Sequence, residues 1–186
     1  MKDTYLFTQE EQKYKIKIAN IHICDNENIN SIGDDKTALS VSWFHRSKLQ
    51  ENKPLINTLK KNIYNYFKNI SKTPSNKNMW TTFKEFKKML QGNGYSRGFI
   101  SVNARATNEY KHKISLAYCA NIFVNPILKQ FFKQRNIIID EETYALSELI
   151  QWIWRSAIRD GKDINIYIPS KRMRELLKNW LENINI

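Results

Sequence analysis

Gln151, Arg155 and Arg159 stand four residues apart in the stretch QWIWRSAIR. On a helix, positions i, i+4 and i+8 fall along one slowly drifting stripe. An amide and two guanidiniums would then project together, a set suited to gripping phosphate oxygens, because the planar guanidinium donates in a fork. The same spacing also describes a surface helix whose arginines pair with Glu148 or with water, and a QxxxRxxxR match arises readily by chance. A second segment upstream bears on the choice. Residues 98–103, GFISVN, read as a short strand running into Ala104-Arg105-Ala106-Thr107-Asn108. Small residues at such a turn let backbone approach a phosphate, and Thr and Asn side chains can bond phosphate or sugar.

Taken in order, these two segments resemble motifs V and VI of superfamily-two helicases. Residues 103–110 (NARATNEY) and 145–159 (ALSELIQWIWRSAIR) carry the resemblance. It covers roughly residues 42–181, and is to the C-terminal part of helicase-like proteins encoded by bacterial mobile elements and phages. It implies a single RecA-like lobe, with Arg155 and Arg159 as arginine fingers toward the γ-phosphate of ATP. It also implies that Gln151 positions nucleotide, and that Asn103, Arg105, Thr107 and Asn108 contact backbone phosphate. The chain departs from the pattern where many members carry Gly before the first arginine and this one carries Trp154. The indoles of Trp152 and Trp154 are equally suited to packing the helix on a sheet.

No GxxxxGK[ST] occurs, and Gly33-Asp34-Asp35-Lys36 lacks the glycine spacing and the hydroxyl of a P-loop. Autonomous ATP hydrolysis is therefore not expected; ATP and magnesium would enter only if shared with a partner lobe that supplies the phosphate cradle. Ile137-Ile138-Ile139 followed by Asp140 and Glu141 imitates a strand carrying magnesium acids. It lies too close to the arginine segment for that role. The simpler reading places Asp140, Glu141 and Glu142 at a helix N-terminus, with Asp140 as its cap. Cys24 and Cys119 form no CxxC pair and the three histidines are scattered, so neither a metal site nor a disulfide framework is expected.

The charge is uneven. Of the net +12, residues 51–113 hold thirteen basic against three acidic side chains, a balance of +10. Lys84, Lys87, Lys88, Arg97, Lys111 and Lys113 lie in this third, interleaved with Trp80, Phe83, Phe86, Tyr95 and Tyr110. Such a face suits salt-dependent binding of single-stranded or duplex DNA, and any exposed ring could stack a base. The alternative is that the lysines solubilise helix faces while Phe67, Phe83 and Phe86 fill the core. No run of about 18 apolar residues is present, and the N-terminus lacks a signal core; the expectation is a cytoplasmic protein without a membrane span.

The elements that would position these residues alternate between helix and strand. Strands are expected at residues 14–18, 21–24, 38–44, 98–103 and 164–168. Helices are expected from Pro54 to about Ile70, from Trp80 to Leu90, from Ile114 to Phe132 with a break near Pro126, from Glu142 to Arg159, and after Ser170 as N-cap. Asp160-Gly161 reads as a helix stop. The expected class is α/β, one RecA-like lobe with a mostly parallel sheet flanked by helices. Residues 1–37 would be an N-terminal strand and loop extension and residues 38–186 the lobe. Two functions fit: a nucleic-acid-binding lobe that completes a P-loop ATPase partner, or a non-enzymatic phage protein that binds nucleic acid or a host protein as adaptor or inhibitor.

Overall fold

A computed structural model describes residues 20–48, 53–104 and 109–184. In chain order the elements are β1 (Ile21–Ile23), α1 (Glu27–Asn30), α2 (Val41–Arg46), α3 (Lys53–Asn65), β2 (Asn78–Thr81), α4 (Lys87–Leu90), β3 (Ser115–Tyr118), α5 (Pro126–Lys133), α6 (Glu141–Ile153), β4 (Ile164–Tyr167) and α7 (Lys171–Ile184). The four strands form one parallel sheet in the order β1-β4-β3-β2. The chain therefore leaves β1 at one edge, reaches β2 at the other, and steps back through β3 to β4.

Both faces of the sheet are covered, as a parallel sheet requires. Alternate residues serve opposite layers. Met79, Leu116, Tyr118, Ile164 and Ile166 pack with Leu149, Trp152, Met173 and Leu177 from α6 and α7. Trp80, Ala117, Cys119 and Tyr167 pack with Trp43, Phe44, Leu59 and Ile63 from α2 and α3, and with Phe67 of the π-helical turn Tyr66–Ile70 that continues α3. The expected α/β class with a parallel sheet is the observed one, and the expected core placement of Phe67 and Phe86 holds. Trp152 lies fully buried with its indole N–H toward the Ile100 carbonyl (3.4 Å), so it packs α6 onto the sheet.

Several elements differ from expectation, each for a local reason. Residues 38–44 are not a strand. The Ser40 hydroxyl accepts from Trp43 N–H at 3.2 Å and caps α2, which sends Trp43 and Phe44 into the core. Ile114 to Phe132 is not one helix. Its first part is β3, buried on both faces, and a continuous apolar run reads equally as a central strand. Trp80 belongs to β2 rather than to the following helix, which is a short turn at Lys84–Phe86 running into α4. Residues 98–103 contribute one bridge, Trp80 to Phe99, instead of a strand. Gly98 allows that approach, since a Cβ there would stand 2.2 Å from the Asn78 carbonyl oxygen.

The end signals were legible. Asp140 caps α6 through Glu142 and Thr143 N–H, both at 3.0 Å. Ser170 precedes α7, and Gly161 takes φ 72° at the close of a short turn. Gly33 serves a close approach, because a Cβ would fall 1.8 Å from the Pro169 carbonyl oxygen. The strand expected at residues 14–18 lies outside the described residues. Ile21–Ile23, placed by sequence in an N-terminal extension, is an integral strand of the sheet.

Candidate functional site

Helix α6 ends at Ile153, six residues short of Arg159. The Ser156 hydroxyl donates to the Ile153 carbonyl at 2.7 Å, its backbone turns extended, and a separate short turn follows at Ala157–Asp160. Gln151, Arg155 and Arg159 therefore do not form one helical stripe. Gln151 and Arg159 are exposed, whereas Arg155 is half-buried. One arm of the Arg155 guanidinium donates to the Ala104 carbonyl; the other nitrogen, Nη1, is buried without a hydrogen-bond partner. Burial holds its pKa below the usual arginine range, against the attraction of Glu148. The arginine thus links the end of α6 to the segment the motif-V resemblance singled out. Within that segment Asn103 is exposed and accepts from the Ser101 hydroxyl at 2.7 Å. Arg105, Thr107 and Asn108 lie outside the described residues.

The basic residues resolve into a margin along β2. The turns Ser75–Lys77 and Ser96–Gly98 touch each other beside that strand, which brings Lys77 and Arg97 to the same border. Phe99 is bridged to Trp80, and the Lys87 ammonium rests over its ring at 4.7 Å. Lys84, Lys88, Arg97 and Lys111 are exposed. Lys113 is not: it is buried, and its ammonium donates to the Asn76 carbonyl at 2.7 Å. Burial and the neighbouring Lys77 both lower its pKa. His112, exposed next to it, was not among the residues chosen from sequence. Its pKa is lowered by burial, then by Lys113 and Lys77, and is raised only by hydrogen bonds to the backbone of Asn76 and Glu109. No carboxylate acts among the charges that shift it. Two ammoniums and a titratable imidazole converge there, an arrangement that favours an incoming anion.

A second feature lies at the carboxyl ends of β2 and β3, where open α/β sheets hold ligands. It is a crevice of about 930 Å³. One wall is the first turn of α2, with Ser40, Val41, Ser42 and His45. The other is the loop from Asn121 to Asn125 with Leu128 and Phe132 of α5, and Phe83 and Tyr144 close its ends. Arg172 braces the loop. Its guanidinium donates to Asn121 Oδ1 (2.9 Å), the Ile122 carbonyl (2.8 Å) and the Glu141 carbonyl (3.3 Å), and lies over Phe123 at 4.5 Å. The Asn121 amide donates in turn to the Lys36 and Ala38 carbonyls. Sequence reasoning missed this crevice because its lining comes from segments scattered over a hundred residues and contains no Asp, Glu, Lys or Arg.

Among the described residues no group of three or more His, Cys, Asp or Glu side chains is placed to hold a metal. Cys24 and Cys119 are free thiols; burial raises the pKa of each. No helix of the described residues is long and apolar enough to cross a membrane.

A family model described as the YonV C-terminal Rossmann-like domain matches residues 14–181. The SPbeta prophage-derived uncharacterized protein YonV of Bacillus subtilis (strain 168) is 53% identical over 171 residues, which cover 92% of this chain and 39% of that protein. The chain thus spans well under half the length of this relative. No solved structure matches.

Proposed function

We propose that this chain, which belongs to the family of YonV C-terminal Rossmann-like domains, a fold whose functions are set by the sites built on it, is a nucleic-acid-binding domain of prophage descent that holds the phosphate backbone along the β2 margin. The observation that carries this reading is the gathering of Lys77, His112 and Lys113 where the chain enters β2 and β3, beside the exposed Arg97 and Lys111. Arg97, Lys87, Lys84, Lys88 and Lys111 extend the same margin. Cations held close together cost stability in the free protein, and a polyphosphate relieves that cost while releasing its own counterions. Lys113 acts from behind, as a buried charge that adds to the local field; Lys77, Arg97 and Lys111 make the contacts.

The test is fluorescence anisotropy of labelled single-stranded and duplex DNA across a salt series. Wild type binds with an affinity that falls linearly on a log–log salt plot. The double substitution Lys77→Ala, Arg97→Ala weakens binding to every sequence alike and reduces the slope by about 2, roughly one unit for each lost phosphate contact. A slope unchanged by that pair, or no binding at low salt, rejects the margin.

A further inference from the structure

The crevice between α2 and the loop following β3 adds a property that a phosphate-binding margin lacks. Its lining holds no Asp, Glu, Lys or Arg, and rings contribute to it: Phe83, His45, Phe123, Phe132 and Tyr144. Its volume of about 930 Å³ falls in the range of small-molecule sites, roughly 300–1,000 Å³. An anion would find no countercharge among these residues. A neutral planar heterocycle would find aromatic side chains from several elements, and stacking on such side chains is tolerant of which base is bound. Polar groups are present at the walls to orient it. The Ser40 and Ser42 hydroxyls lie 3.0 Å apart, and Asn125, whose Oδ1 caps α5, keeps its amide N–H₂ as a donor.

The cationic margin begins at the amino ends of β2 and β3, where Lys77 and Lys113 stand, and the crevice opens at their carboxyl ends. Phe83 meets Phe44 and Phe86 edge-on, with ring centroids 6.2 and 6.3 Å apart, and the Lys48 ammonium lies over Phe86 at 4.9 Å. Lys84 follows Phe83 directly and is exposed. A strand whose phosphates run the length of β2 from Lys77 toward Lys84 would reach the mouth of a cavity lined by rings and free of Lys, Arg, Asp and Glu. We infer that the crevice takes one nucleobase with its sugar, unstacked from a single strand whose backbone follows the β2 margin. The inference rests on the nucleic-acid reading for the strand, while recognition of the base belongs to the crevice alone. A duplex, whose bases are paired and stacked, cannot supply that base without opening, so the site selects single strands.

The experiment separates the two parts. Saturation-transfer NMR with free adenosine and thymidine, which carry no phosphate, reads the crevice without the margin. Anisotropy with single-stranded and duplex DNA reads both. Val41→Trp fills the crevice from a residue that is 40% exposed and therefore tolerates a larger side chain; Leu128→Trp, at 52% exposure, does so from the opposite wall. Expected are saturation transfer to the base protons of wild type, its loss in both variants, and an approximately ten-fold or greater weakening for single strands only. Lys77→Ala with Arg97→Ala should weaken both DNA forms and leave the nucleoside signal intact. No transfer to either nucleoside, with single-strand affinity unchanged in both tryptophan variants, overturns the crevice and leaves the margin standing. Nucleoside binding without any strand binding overturns the strand as the source, and makes the crevice a site for free nucleosides.

Discussion

Arg155 stands between Ala104, to which it donates, and the attraction of Glu148, with one nitrogen buried and unsatisfied. A guanidinium held this way fastens two segments together. Arg155→Ala removes a charge-assisted hydrogen bond to a backbone carbonyl, at a cost of about 1–3 kcal/mol, equivalent to a Tm lower by about 2–12 °C for a chain of this size. Thermal melting reads this, and DNA affinity should stay near wild type; a melting temperature equal to wild type would contradict the fastening role. His112 yields a different kind of expectation. Its folded pKa lies below the ordinary 6.5 because burial, Lys113 and Lys77 oppose its charge. The folded state thus binds fewer protons than the unfolded one, so its contribution to stability is present above the unfolded value and declines as pH falls through it. Phosphates at the margin act oppositely, since they favour the imidazolium. DNA affinity should therefore rise as pH falls from about 7.5 to about 5.5 at constant ionic strength. In His112→Gln that rise should vanish; an undiminished rise would place the titrating group elsewhere.

At the scale of elements, the β2 margin depends on the close seating of the turn at Ser96–Gly98. Gly98→Ala sets a methyl 2.2 Å from the Asn78 carbonyl oxygen, and backbone must shift to admit it. Overpacking of this sort costs about 1–3 kcal/mol, and it moves Arg97 away from Lys77. Both the melting temperature and DNA affinity should fall, whereas Arg97→Ala should lower affinity alone; loss of neither property would dissociate the turn from the site. The elements also show what was legible in sequence. Caps and stops were, because Asp140 and Gly161 act through their own backbone neighbourhood. Long apolar runs were not. Residues 114–132 carry no periodicity that separates a buried strand from a helix, and β3 becomes a strand only because neighbours stand on both sides of it. Residues 38–44 alternate as a strand does, yet one serine hydroxyl capping Trp43 decides for helix. The arginine stripe failed for a similar reason: nothing in QWIWRSAIR marks Ser156 as the residue that turns extended.

At the scale of the whole molecule, the α/β class and the parallel sheet could be read from alternating elements, and the basic middle third could be read from charge alone. The crevice could not, since uncharged residues from four separate stretches meet only when the sheet is assembled. The strand order has one more consequence. Ile21 pairs with Ile164, and β1 has no other partner among the described strands. Every hydrogen bond that places β1 in the sheet thus closes a loop that runs from Ile21 to Ile164, some three quarters of the sequence. Loops of that length make pairing slow, because entropy is lost before contacts compensate. While the polypeptide emerges from the ribosome, β1 must wait for β4, whereas β2 and β3 can already pair. Once β4 is made, and until β1 has joined it, the flank of β4 is an open edge to which a strand of another molecule can add.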